Sequence, residues 1–181
     1  MLGGSPTLHG RSIKGAVKGS SAIRVATLTL SDTRTVEDDE GGRLLGEMIR
    51  AGGHTIVSHE VVREEPELLR AAVARLCASE VDAIITTGGT GIAPRDRTVE
   101  ALAPLFDKTL DGFGEAFRRL SFDEVGPNAI LSRAVAGVIG GKLVAALPGS
   151  VKAVRLAVER LLLPILGHAV ALLAGRTGHG A

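Results

Sequence analysis

Apolar residues along the chain fall into short runs that alternate with longer, one-sided stretches. Ala22 to Leu30 (AIRVATLTL) reads as a strand that ends in a polar cluster, Ser31-Asp32-Thr33-Arg34-Thr35. The acidic run Glu37 to Glu40, read as a mostly solvated face, precedes Gly41-Gly42 and a helix through Leu44, Leu45, Met48 and Ile49 that stops near Gly52-Gly53. His54 to Val62 gives a second strand. Arg63-Glu64-Glu65-Pro66 then opens a helix with Leu68, Leu69, Ala72, Val73 and Leu76 along one face. A third strand, Val81 to Thr87, runs into Gly88-Gly89-Thr90-Gly91, and Thr98 stands where the next helix, short and starting at Val99, would be capped. An irregular stretch from Pro104 to Gly112 leads to a helix bearing Phe113, Phe117 and Leu120. Val135 to Ile139 and Lys142 to Leu147 flank Gly140-Gly141, the composition of a two-residue hairpin turn, and a long helix begins after Pro148-Gly149-Ser150.

The β-α-β-α-β order predicts an α/β fold, a three-layer sandwich whose sheet is mostly parallel and made mixed by the late hairpin. Ligands of such sheets collect beyond the carboxyl ends of the strands. Ser31 to Thr35, Glu64-Glu65, Thr87 to Asp96 and Pro148 to Ser150 all follow strands, so four polar segments are expected at one edge. A length of 181 residues suits one domain, expected at residues 22–175 between a Gly- and Ser-rich flexible tail, 1–21, and a short C-terminal tail, 176–181.

Composition narrows the function classes. A net charge of +1 and only four aromatic residues, all Phe, argue against nucleic acid as a partner. The single Cys77 excludes an internal disulfide and fits a reducing cytoplasm; its register with Leu69, Val73 and Leu76 predicts a packed core thiol. A hydrophobic fraction of 45% and a mean hydropathy of +0.26 exceed what a core of this size needs, which predicts a homo-oligomer. Leu161 to Ala174 is the most apolar segment, interrupted by Pro164, Gly167 and His168 and short of the roughly 20 residues that span a bilayer. It reads as a buried or interface helix, with no membrane role, and no charged-then-apolar signal opens the chain.

The stretch VDAIITTGGTGIAPRDRT, Val81 to Thr98, carries the strongest chemical signal. Its closely spaced glycines let backbone N–H groups approach an anion, which suggests a phosphate-bearing ligand; a glycine-rich turn without a ligand is the competing reading. Thr86, Thr87, Arg95, Asp96 and Arg97 beside it favour the ligand. Other motifs fail: there is no Walker loop, no dinucleotide fingerprint and no Gly-x-Ser-x-Gly elbow. His59-Glu60 lacks the second His of a zinc motif, since Arg63 stands there, and the five His show no metal-ligand spacing. Any chemistry therefore rests on carboxylates, hydroxyls and backbone amides.

Ser31-Asp32-Thr33-Arg34-Thr35, Thr86-Thr87-Gly88-Gly89-Thr90-Gly91 with Asp96, and Phe113-Gly114-Glu115 with Phe117-Arg118 occur in an order that resembles the MoaB/Mog family of molybdenum cofactor biosynthesis proteins. Leu120-Ser121-Phe122, Leu131-Ser132-Arg133-Ala134 and Leu147-Pro148-Gly149-Ser150 with Lys152-Ala153 extend the resemblance, which spans about Arg24 to Leu163 and is nearer the MoaB branch in LSFDEVG and LSRAVAGV. The resemblance implies binding of molybdopterin and its adenylylation with Mg²⁺ and ATP, in trimers or pairs of trimers, with other proteins of the pathway as further partners. A non-catalytic molybdopterin-binding or scaffold protein is the alternative, and a related α/β domain acting on another phosphorylated ligand is a third.

Carried over by position, Asp96 would bind metal and act in catalysis, with Glu64 and Glu65 beside it. Thr87, Gly88, Gly89, Thr90 and Gly91 would hold phosphate, and Pro148, Gly149 and Ser150 would line the pterin side. Glu115, Ser132 and Arg133 would stand at the site edge. Ser31 and Asp32 follow the first strand; Asp32 would orient ligand or metal, or simply close its own turn. Two departures stand out: Glu64-Glu65 replaces an aspartate pair, one methylene longer, and Gly41 replaces a serine that many relatives carry.

Overall fold

The computed structural model describes residues 22–176. The expected tail 1–21, and all but the first residue of the tail 176–181, lie outside the described residues. Six strands form one sheet in the order β2-β1-β3-β6-β5-β4. β1 (Arg24–Leu30), β2 (Thr55–Val62), β3 (Ala83–Thr87) and β6 (Lys142–Leu147) run parallel. β5 (Val135–Ile139) turns back on β6 through Gly140 and Gly141, whose φ angles of 55° and 76° suit the tight turn. The expected three-layer α/β sandwich with a mostly parallel mixed sheet is the fold observed.

Period-two alternation decides which layer each strand residue serves. Val25, Ala83, Ile85, Ala145 and Leu147 face one core with α1 (Glu40–Ala51), α4 (Asp111–Val125) and the C-terminal helix. Ala26, Leu28, Leu30, Ile84, Val144 and Ala146 face the other, with α2 (Pro66–Cys77) and α3 (Thr98–Leu102). Three parallel strands, β1, β3 and β6, are buried on both faces and leave no polar alternation to read, and β3 is fully buried.

Four expectations need correction. The stretch from Pro104 to Gly112 holds β4 (Lys108–Thr109), a two-residue edge strand paired with β5, and the first residues of α4. Thr98 does not cap α3 but is its first residue, and its hydroxyl donates to the Gly88 carbonyl at 2.9 Å. Cys77 packs against the second core but is only half-buried at its rim; its thiol lies 3.7 Å from the Ile139 carbonyl, and burial raises its pKa.

The C-terminal helix is the fourth. It is unbroken from Val151 to Leu173, in three parts: α5 (Val151–Ala157), a π-turn (Val158–Leu162) and α6 (Leu163–Leu173). Pro164 sits in the first turn of α6 directly after the π-turn, where the regular bonding is already interrupted, so its missing N–H breaks nothing further. At 23 residues the helix is long and apolar enough to cross a membrane, but Val154, Leu162, Leu166 and Val170 are packed in the core.

Candidate functional site

The ends of β1, β2, β3 and β6 converge as the topology requires. Beyond them lies a cleft of about 390 Å³ bounded by Ser31, Asp32, Glu64, Thr87, Gly88, Gly89, Gly149 and Ser150, all anticipated, together with Arg34 and Arg95. A second cleft, about 340 Å³, opens between α4 and the start of α5, where Phe117, Ser121, Ser132, Pro148 and Lys152 line it. Ser150 belongs to both. Its hydroxyl oxygen caps α5 by accepting from the Ala153 N–H at 3.2 Å, which leaves the hydroxyl proton to point elsewhere.

The glycine turn is built as much by packing as by any ligand. Gly88 and Gly89 have φ of 98° and 65°; a Cβ on Gly88 would stand 2.5 Å from the Leu30 carbonyl oxygen, and one on Gly89 2.3 Å from the Thr98 hydroxyl. The Gly88 N–H donates to the Leu147 carbonyl (2.9 Å), so it is not available to an anion. Thr98 returns the turn on itself, its N–H donating to Gly89 O at 3.0 Å.

Thr90, Gly91, Asp96, Arg133, Glu115 and Glu65 border neither cleft. Arg133 instead ties the loop together: Nε donates to Gly91 O (2.8 Å), Nη2 to Asp96 O (2.9 Å), its backbone N–H to Thr90 O (2.9 Å), and both Nη atoms pair with Glu100. The hydrogen bond from Arg133 holds the Glu100 carboxyl below its usual range. Asp96 is half-buried, and its Oδ2 accepts from the Ala93 N–H at 2.8 Å, closing its own turn. Glu115 is exposed on α4, and Glu65 is half exposed at the start of α2, 3.3 Å from Arg63.

Glu64 is one of two carboxylates, with Asp39, that keep a buried oxygen without a hydrogen-bond partner among the described residues. Its side chain is 15% exposed, Oε2 accepts no hydrogen bond, and the nearest cation, Arg95 Nε, lies 3.8 Å away. Burial raises its pKa, against the pull of Arg95 and with help from the charges of Asp32 and Asp96. Asp32 does not close its own turn; Oδ1 accepts from the Glu64 N–H at 3.1 Å and so ties the end of β1 to the end of β2. Ser31 supplies the turn instead, its hydroxyl oxygen accepting from the N–H groups of Thr33 (3.3 Å) and Arg34 (3.1 Å).

Sequence reasoning missed a polar array behind this edge. Asp39 is the exception in an acidic run whose other three residues are exposed as expected: its side chain is fully buried and caps α1 by accepting from Gly42 N–H at 2.9 Å. His59 Nε2 lies 3.1 Å from Asp39 Oδ2, off the line of a hydrogen bond, while Nδ1 is 2.9 Å from the buried Thr27 hydroxyl. An aspartate just ahead of an apolar-periodic helix was the available signal. A Cβ on Gly42 would stand 2.1 Å from Asp39 Oδ2, so glycine is required there, whereas at Gly41 the nearest atom would be Gly149 O at an ordinary 3.5 Å. The departure at Gly41 is thus a choice the backbone does not impose.

Known proteins match this chain over nearly all of the described region. A family profile described as "Probable molybdopterin binding domain" matches residues 26–168. Molybdenum cofactor biosynthesis protein B of Bacillus cereus is 47% identical over 148 residues, 81% of this chain and 88% of that protein. A crystal structure of a molybdenum cofactor biosynthesis protein B superposes with a TM-score of 0.85 at 45% identity, covering 87% of this chain and 99% of its own. The tungsten cofactor synthesizing protein MoaB from Pyrococcus furiosus gives 0.78 at 34% identity, covering 88% and 100%. With the profile, the relative and the fold in agreement, the chain belongs to the MoaB/Mog family of molybdenum cofactor biosynthesis proteins.

Proposed function

We propose that the protein binds molybdopterin and transfers the adenylyl group of ATP to the pterin's terminal phosphate with Mg²⁺. The observation that carries this reading is the pair of clefts meeting at Ser150, one polar and walled by strand ends, the other partly apolar. Two ligands held in adjoining clefts can present a phosphate oxygen of one to the α-phosphate of the other. The new P–O bond forms as the bond to pyrophosphate breaks, so the protein needs to supply alignment and charge rather than a nucleophile.

The residues present fit Mg²⁺. Among the described residues no three His, Cys, Asp or Glu form a cluster that would enclose a metal, but Mg²⁺ held with phosphates and waters needs only one or two carboxylates. Glu64, with its unpartnered Oε2, and Asp96, whose charge already acts on Glu64, would hold it. Bound there, the ion would neutralise charge developing on the phosphates. Ser150 would donate its free hydroxyl proton to a phosphate oxygen between the clefts, and Lys152 would add a cation on the pterin side. Glu65 would act only from outside the clefts, through the start of α2.

The second reading, a molybdopterin-binding protein without the reaction, is favoured by Asp96, whose Oδ2 is engaged in its own turn. Mixing the protein with molybdopterin, Mg²⁺ and α-labelled ATP separates the two. Adenylylated pterin with pyrophosphate supports the enzyme; retained pterin without product supports the binder; neither would sink both. The reading also includes a homo-oligomer, trimer or pair of trimers, for which Phe122, Val125, Ile130 and Leu131 stand exposed in one run. Its setting would be the cytoplasm, where Cys77 stays reduced.

Glu64 gives this proposal a signature in stability. Its folded-state pKa is raised above the unfolded value, so wild-type stability falls as pH climbs through that interval and remains lower at neutral pH. Glu64→Gln removes the loss. Its melting temperature at pH 7.5 is expected to match or exceed wild type by about 1–3 °C, with the gain shrinking below about pH 4, while Mg²⁺-dependent turnover falls. Thermal melts across pH check this; a variant several degrees less stable at pH 7.5 would contradict it.

A further inference from the structure

We propose that Arg95 has two positions in the working cycle: it neutralises Glu64 in the free protein and, when a metal ion takes Glu64, turns into the main cleft to bind the phosphates of a nucleoside triphosphate. The proposal rests on the function proposed above and adds an order to it, because metal and nucleotide would then bind cooperatively.

Arg95, like Arg34 in the same cleft, is built differently from Arg133 and Arg70. Arg133 and Arg70 are tied to backbone carbonyls, Arg133 through Nε and Nη2 and Arg70 through Nε and Nη2 to Ala101 and Glu100. The Arg95 side chain is 72% exposed, makes no hydrogen bond among the described residues, and meets Glu64 only as a charge at 3.8 Å. It lines both the small hollow over Glu64 at the start of α2 and the 390 Å³ cleft with Gly88, Gly89 and Ser150. One side chain therefore borders the carboxylate that wants a cation and the space where a polyphosphate would lie.

The exchange follows from charge. Glu64 would prefer a divalent ion to a guanidinium standing 3.8 Å away, and Arg95 would then be repelled by the ion's charge. Released, the planar fork of Arg95 matches two oxygens of a phosphate. On transfer of the adenylyl group, the guanidinium, lining that cleft, would stabilise the negative charge that builds on the departing pyrophosphate.

Opposite effects on two affinities test the proposal. Mn²⁺ binding to nucleotide-free protein is measured by electron paramagnetic resonance, and ATP binding in Mg²⁺ by calorimetry, for wild type, Arg95→Met and Arg95→Lys. Arg95→Met is expected to bind Mn²⁺ about threefold or more tightly, since a competing cation is gone, and ATP about tenfold or more weakly. Arg95→Lys keeps the charge without the fork, so Mn²⁺ affinity stays near wild type while ATP binding recovers only in part. An unchanged ATP affinity in Arg95→Met, or both affinities moving in the same direction, overturns the role of Arg95. Wild type that binds neither Mn²⁺ nor ATP overturns the proposed function itself, and this role with it.

Discussion

Asp96→Asn is expected to lower adenylylation at least about a hundredfold while leaving the melting temperature within about 2 °C of wild type. The substitution is chosen for what it keeps. An asparagine carbonyl still accepts from the Ala93 N–H, so the turn that Asp96 closes survives, and only the charge is removed. Asp96→Ala removes both. If Asp96 serves the turn alone, Asn retains activity and Ala loses it; if it serves the metal, both lose it, and only Ala also loosens the loop. Turnover near wild type in the Asn variant would take Asp96 out of the catalytic role. The comparison is informative because the carboxylate lies outside both clefts, on a loop that Arg133 and Thr98 hold from two sides.

Gly88→Ala is expected to carry the largest loss of stability of any single methyl addition near the site, roughly 3 kcal/mol or more. Two independent costs combine. The φ of 98° is strained for any residue with a Cβ, and that Cβ would stand 2.5 Å from the Leu30 carbonyl oxygen. The obstructing atom is backbone at the end of a central strand, so no side-chain rotation relieves it. Urea unfolding measures the effect; a loss under about 1 kcal/mol would mean that the ends of β1 and β3 can separate more easily than their packing suggests.

Pattern revealed most where burial is one-sided or a turn has its own chemistry. The β5–β6 hairpin matches its expected bounds to the residue, because apolar runs flank a glycine pair that only a tight turn needs. β4 was invisible: two exposed residues, Lys108 and Thr109, have no periodicity, and only their partner in β5 makes them a strand. Pro164 looked like a helix breaker because a π-turn cannot be seen in residue type. The gathering of four strand-end segments followed from topology alone. What the segments do to one another did not, since it depends on partners distant in sequence: Glu64 with Asp32 and Arg95, Arg133 with Gly91, Asp39 with His59. A side chain expected at the site edge, Arg133, is engaged in holding the loop, and one aspartate of an otherwise exposed acidic run is buried.

The two hydrogen bonds by which Thr98 grips Gly88 and Gly89 have a consequence for motion. The glycine turn and α3 form one stiff unit, and Arg70 on α2 extends it by donating to the carbonyls of Ala101 (3.2 Å) and Glu100 (3.3 Å). Glycines usually lend a loop mobility, yet here they are locked. The entropy of ordering this surface is given up during folding, so a ligand settling on it has little left to freeze and binds a wall already in place. Whatever adjusts on binding must come from outside that unit, from the freely standing side chains at the rim.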